Sequence, residues 1–255
     1  MTALQIGILA EKSSRIFDWV ATHSVLRNSN AELTYFVECP QNHLRRNWRA
    51  VPGKAAWRVL EKIEARRFGK MDVYAPPEGA VSLECEFKGH FKVFAKSEID
   101  KIQNAKIDLI IRLGGRGIYK GDILSCARLG LISIHHGNNR AFRGGPPGFW
   151  EILEGAKTVG YVVQRLTEKL DGGEILARGE LPTSRFAIQN RTRLFEAADN
   201  SLAQVIGHAL KYGKLPDPEP KSEVLGKIYF MPRLPDIFRY LKISRLSGAN
   251  DAGDS

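Results

Sequence analysis

Short apolar runs bounded by polar turns alternate with helical periodicity along most of the chain. Leu4-Gln5-Ile6-Gly7-Ile8-Leu9 has the pattern of a buried strand, and a polar turn leads from it into helical spacing through Ile16, Trp19, Val20 and His23. Residues 32–38 read as a second strand, closed by Cys39-Pro40. Residues 41–67 predict a basic loop and then a basic amphipathic helix. In it Trp57, Leu60 and Ile63 form the apolar positions among Arg45, Arg46, Arg49, Arg58, Lys62, Arg66 and Arg67. Residues 81–87 and 91–95 predict two strands around Lys88-Gly89-His90, and 97–105 a helix.

Residues 108–113 form another buried-strand run that stops at Gly114-Gly115-Arg116-Gly117. A helix is expected through Ile123, Leu124 and Ala127, then a strand at 131–135 and a helix starting at 148–153. Residues 160–166 and 174–179 read as antiparallel strands around Asp171-Gly172-Gly173. A long amphipathic helix is expected at 192–210 and a basic one at 236–245. Strands alternating with helices imply an α/β fold with a Rossmann-like, mostly parallel sheet flanked by helices. Residues 1–213 would form the main domain, with 41–95 as a small basic helix-and-hairpin insertion, 214–246 as a C-terminal extension and 247–255 as a disordered tail. In such sheets ligands bind beyond the carboxyl ends of strands, which points to the loops after Leu113 and Ser133.

The 255 residues are 43% hydrophobic and 26% charged, which excludes disordered, collagen-like and disulfide-dense classes. No apolar run reaches membrane-spanning length and the start is unlike a secretory signal, so a cytoplasmic protein is expected. Cys39, Cys85 and Cys126 are too far apart for zinc pairs and read as reduced, structural residues; no metal site is expected. A net charge of +10 implies attraction to anions. Nucleic acid is not the expected partner, because no aromatic RNA-binding motif or zinc spacing accompanies the charge.

The densest polar, glycine and proline cluster follows the strand at 131–135: His136-Gly137-Asn138-Asn139-Arg140-Ala141-Phe142-Arg143-Gly144-Gly145-Pro146-Pro147-Gly148. Ser133 and His135, two apart on a strand, project to one side. Asp171 suits a hairpin turn equally well, Asp-Gly being a favoured turn dipeptide. Gly114, Gly115 and Gly117 suit a tight strand-to-helix turn.

These motifs, in this order, resemble the formyltransferase family. That family has Asn-x-His at a strand end, an aromatic-Arg-Gly with a following proline, and a Leu-Asp-x-Gly turn. The counterparts here are Ser133-Ile134-His135, Phe142-Arg143-Gly144 with Pro147, and Leu170-Asp171-Gly172-Gly173, and the resemblance extends over residues 108–210. It implies a formyltransferase fold, N10-formyltetrahydrofolate as formyl donor and a primary amine as acceptor. His135 would then hydrogen-bond the formyl oxygen and Asp171 would take the amine's proton, directly or through water. Ser133 stands where the family has Asn, and Asn138 is the candidate second donor.

By the same resemblance Gly115, Arg116, Ile118, Thr167, Leu170 and Asp171 would hold the pterin, and His136, Asn139, Arg143 and Gly144 would meet the acceptor. Ala10-Glu11-Lys12-Ser13-Ser14 lacks the glycine-rich phosphate loop of a glycinamide ribonucleotide enzyme, and few residues follow Leu210 for binding tRNA. The expected acceptor is therefore an amino sugar on a nucleotide. The basic 45–67 segment would either grip its pyrophosphate or simply face solvent. A silent folate-binding homologue and a formyl-folate hydrolase are the alternatives. Phe238, Tyr240 and Leu241 suit packing on the core and a homodimer contact equally.

Overall fold

The structure is a computed structural model that describes residues 3–11, 19–42, 51–68, 77–114, 117–220 and 224–250, with side chains of the last helix described through Ser244. Among these residues no helix is long and apolar enough to cross a membrane. The strands are β1 (Gln5–Glu11), β2 (Glu32–Pro40), β3 (Val81–Lys88), β4 (Phe91–Phe94), β5 (Leu109–Leu113), β6 (Ile118–Tyr119), β7 (Leu131–His135), β8 (Phe142–Gly144), β9 (Thr158–Arg165), β10 (Glu174–Pro182) and β11 (Lys227–Tyr229). The helices are α1 (Val20–Arg27), α2 (Val51–Phe68), α3 (Lys96–Asn104), α4 (Trp150–Leu153), α5 (Ala187–Tyr212) and α6 (Leu234–Asn250).

One sheet has the order β10-β9-β7-β5-β1-β2-β3-β4-β6, and β11 with β8 makes a second, two-stranded one. The centre is parallel: β1 pairs with β2 and β5, and β5 with β7. Apolar residues on both faces of these strands follow from their being covered on both sides. On one face Ile6, Ile8, Ile111 and Ile132 pack against Leu202 and Ile206 of α5. On the other, Leu9, Ile110 and Leu131 pack against Ile99 and Ile102 of α3. Chain order reverses on either side of β1, so the carboxyl ends of β1 and β5 open at a topological switch point.

The expected hairpin insertion is part of the main sheet. β3 continues it in parallel from β2, β4 turns back on β3, and the two-residue β6 completes the edge. The helix expected through Ile123 and Ala127 is a single 3₁₀ turn, Asp122–Leu124. With β6 formed, few residues remain before β7, and Ile123 and Ala127 reach the α3 side of the core from an irregular return. The run expected to be a disordered tail is helical as far as Asn250, while 251–255 lie outside the described residues.

In α2 the inward stripe is Trp57, Leu60 and Glu64, and Ile63 points outward. The reason is chemical. The Glu64 carboxylate accepts the backbone N–H of Ile188 (2.9 Å) in the first turn of α5, where helix N–H groups lack partners, and it also accepts the Tyr240 hydroxyl. Burial pushes both the Glu64 carboxyl and the Tyr240 phenol up. Tyr240 is fully buried in a cluster with Trp57 and Phe149, so it packs within the chain, whereas Phe238 is exposed.

The three cysteines are free. Burial raises Cys85 to about 12 and Cys126 to about 11, which leaves these two thiols protonated at neutral pH.

Candidate active site

A cavity of about 700 Å³ opens beyond the carboxyl ends of β5 and β7. The sequence-predicted residues Ile118, Ser133, His135, His136, Gly144, Leu170 and Asp171 line it. β7 carries Ser133 and His135 on one face, and the β9–β10 turn carries Asp171 across from them. His135 Nδ1 lies 3.3 Å from Asp171 Oδ1, with both side chains nearly buried. The other ring nitrogen, Nε2, is 3.1 Å from the Phe142 carbonyl. A carbonyl has no proton to give, so Nε2 carries the N–H in this contact and Nδ1 is the nitrogen directed at Asp171.

Two glycines make this geometry possible. A Cβ on Gly137 would sit 2.6 Å from His135 Nε2 and 2.7 Å from the Phe142 oxygen, inside the hydrogen bond itself. Gly144, at φ +82°, lets β11 pass against β8; a Cβ there would lie 2.1 Å from the Tyr229 oxygen. Its backbone N–H donates to Asp171 Oδ2 (3.3 Å). Asp171 has φ +49°, a left-handed turn conformation that Asp and Asn tolerate best among side-chain residues. It is therefore both the turn residue and the histidine's partner.

Several expected roles change. Asn138 is absent from the cavity wall. Its Nδ2 donates to Glu180 (2.7 Å) and its Oδ1 accepts from the Arg140 N–H, so it shapes the loop and is not the second oxyanion donor. Asn139 is buried behind the site, where it donates to the Asp171 carbonyl (3.0 Å) and accepts from Arg178. Arg143 is committed to the carbonyls of Gly226 (2.8 Å) and Leu170 (3.1 Å), and so ties the C-terminal segment to the Asp171 turn. Both hold the site in place and neither lines the cavity. Thr167 Oγ1 accepts the Lys169 N–H within its own turn and does not line the cavity. Gly115 and Arg116 lie outside the described residues, as do Arg45, Arg46 and Arg49.

His136 does reach the cavity, its ring 3.7 Å from that of Phe195. Burial, with help from His135 and Arg191, holds its pKa well below the usual histidine range, so the ring is neutral.

Sequence reasoning missed the cavity's cation. Arg112, at the end of β5, lines the wall with its guanidinium 4.3 Å from the Tyr119 ring centre. Behind it Lys92, fully buried, bridges Glu11 (2.6 Å) and Glu38, and Tyr119 donates to Glu38. Burial raises the Glu38 carboxyl and lowers Arg112, and each opposes the other's shift. The available signal was a lone arginine inside an otherwise apolar strand, Leu109-Ile110-Ile111-Arg112-Leu113. Trp19, Phe195 and Leu202 also line the cavity, and Ile228 and Phe230 bring in the C-terminal segment.

A sequence profile for the family described as formyl transferase matches residues 28–198. Methionyl-tRNA formyltransferase of Bacillus mycoides is 31% identical over 121 residues, which cover 46% of this chain and 38% of the relative, so the match spans about two fifths of that protein. Among solved structures, a sugar N-formyltransferase from Shewanella aligns at TM-score 0.56 and 14% identity, over 94% of this chain and 87% of the other. Glycinamide ribonucleotide transformylase 1 from Symbiobacterium toebii aligns at 0.55 and 15%, over 85% and 95%. These folds agree with the sheet described above. The profile runs over β7, the glycine-proline loop and the β9–β10 turn, the segments that bring His135 to Asp171, and the chain belongs to the formyl transferase family.

Proposed function

We propose that the protein is an N-formyltransferase that moves a formyl group from N10-formyltetrahydrofolate to a primary amine, with an amino sugar on a nucleotide as acceptor. The observation that carries this reading is the His135–Asp171 pair, 3.3 Å apart at the wall of a cavity of about 700 Å³. A cavity of this size suits a ligand of folate dimensions. Leu113, Ile118 and Leu170 offer apolar walls for a flat ring system, and the turns around Gly114 and Leu170 offer backbone groups.

In the transfer, the amine lone pair forms a bond to the formyl carbon and the C=O π pair moves onto oxygen. That pair returns as the bond from carbon to the donor nitrogen breaks. The amine loses one proton and the departing nitrogen gains one, so atoms and charge balance. Asp171, fixed by the Gly144 N–H and opposite His135 Nδ1, is the acceptor for the amine's proton. His135, held by the Phe142 carbonyl, presents Nδ1 to Asp171 for sharing that proton. The apolar walls limit water, which would otherwise compete with the amine.

The acceptor class rests on charge. Arg58, Lys62, Arg66 and Arg67 are exposed on α2. Such a face suits pyrophosphate.

The test is mass spectrometry after incubation with N10-formyltetrahydrofolate and a panel of amino-sugar nucleotides, with a control lacking acceptor. Gain of one formyl group on a panel member supports the reading. Formate release without acceptor replaces it with hydrolysis, and absence of folate binding removes it.

A further inference from the structure

An acyl oxygen that takes on negative charge needs donors aimed at it, and the donors described so far leave a gap. His135 Nε2 is occupied by the Phe142 carbonyl and Nδ1 faces Asp171. The Ser133 hydroxyl makes only a long contact, 3.5 Å, to the Ile134 carbonyl. Asn138 is turned to Glu180.

β5 and β7 are paired so that Arg112 stands opposite Ser133. Residues in register on neighbouring strands share a face, and His135, two further along β7, shares it too. Arg112, Ser133, His135 and Asp171 all line the one cavity. One terminal nitrogen of Arg112 donates weakly to the Gly117 carbonyl (3.4 Å), and the guanidinium face lies over Tyr119. Its Nε is shut off from solvent and has no hydrogen-bond partner among the described residues. A buried guanidinium N–H without an acceptor is costly. Glu38, Glu11 and Asp171 act on the charge itself, and the Glu11–Lys92–Glu38 cluster stands behind it, so the cation is compensated from within; Nε is enclosed, and the terminal nitrogens are the part of the guanidinium that reaches the cavity wall.

We propose that Arg112 is a catalytic residue whose guanidinium donates to the formyl oxygen, supplying beside Ser133 the oxyanion donor that a serine at that position supplies poorly. The proposal rests on the formyl-transfer reading above and adds to it the group that carries the charge. A fixed cation at this point already polarises the bound formyl carbonyl in the ground state and stabilises the oxygen further as its charge grows.

The experiment uses the full chain and two stable probes, 10-formyl-5,8-dideazafolate and its unformylated parent, 5,8-dideazafolate. Affinities are measured for wild type, Arg112→Gln and Arg112→Lys. In wild type, the ¹⁵N-detected Arg112 Nε–H resonance, assigned by its loss in Arg112→Lys, is followed in both complexes. The expected result is a preference for the formylated probe in wild type that falls about tenfold in Arg112→Gln, the scale of one charge-assisted hydrogen bond. The parent compound should lose less affinity in the variant than the formylated probe does. The Nε–H resonance should differ between the two wild-type complexes. An unchanged preference in Arg112→Gln, or identical Nε–H resonances in the two complexes, overturns the proposal. The resonance test stands even if Arg112→Gln fails to fold. Wild type that binds neither probe overturns the formyl-transfer reading instead, so the two failures are distinguishable.

Discussion

Gly137→Ala is the sharpest probe of the site, because it adds one carbon at a point where the geometry is fully specified. The new Cβ would lie 2.6 Å from His135 Nε2, 2.7 Å from the Phe142 oxygen and 3.3 Å from His135 Cε1. Gly137 does not have a left-handed φ, so alanine introduces no backbone strain and the effect is steric alone. Neither neighbour is a flexible tip: one is a buried ring and the other is a backbone carbonyl. The hydrogen bond must therefore break, by rotation of the ring away from Asp171 or displacement of the loop at Phe142. A buried hydrogen bond lost with a partner left unsatisfied costs about 1–3 kcal/mol, or roughly 2–12 °C in melting temperature for a chain of this size. Misplacing a proton-transfer group costs more in rate than in stability, so turnover should fall about a hundredfold. Thermal melts, formyl-transfer rates and the ¹⁵N imidazole spectrum measure the three quantities, with the wild-type spectrum expected to show a protonated Nε2 on His135. Turnover within about threefold of wild type would refute the claim that the Phe142 contact orients the catalytic imidazole.

Three further outcomes are expected. His135→Ala and Asp171→Asn should each lower turnover at least about a hundredfold while the protein stays folded; asparagine tolerates the left-handed turn at this position, so the second variant tests the carboxylate and not the backbone, and wild-type-like rates in both would sink the assignment. Ser133→Asn, which adds a longer donor beside Arg112, should leave measurable activity, and complete loss would mean that the wall between β5 and β7 is built for another geometry. Glu151 is 2% exposed and burial raises its carboxyl from 4.5 to about 7, so the folded state holds a proton there that the unfolded chain has released. Stability from this group is thus present below pH 4.5 and is lost as pH rises through 7, by about 3 kcal/mol in full; Glu151→Gln should flatten that part of the melting-temperature profile, and a profile parallel to wild type would contradict it.

The central strands and long helices were legible because each carries its own periodicity. Residues 109–111 and 131–132 are apolar on both faces because the sheet is covered on both sides, and local sequence records that burial directly. His135 and Asp171 were legible for a different reason, as parts of an ordered set of motifs that resembles a family. Short elements were not legible. β6 has two residues, β8 and β11 have three each, and such pairs hold together only when distant segments meet.

The direction in which polar side chains point was decided by tertiary structure alone. Asn138, Asn139 and Arg143 sit in the functional loop, yet their partners, Glu180, Asp171 and Arg178, and Gly226 and Leu170, come from β10, the β9–β10 turn and the C-terminal segment. Glu64 likewise displaced Ile63 from the inner face of α2, because the unpaired N–H groups of α5 required an acceptor there. Arg112 looked like part of an apolar strand until the register with Ser133 placed it in the cavity wall. Burial is a property of a segment and shows in its periodicity. A hydrogen-bond partner is a property of two segments, and only the fold that brings them within about 3 Å assigns it.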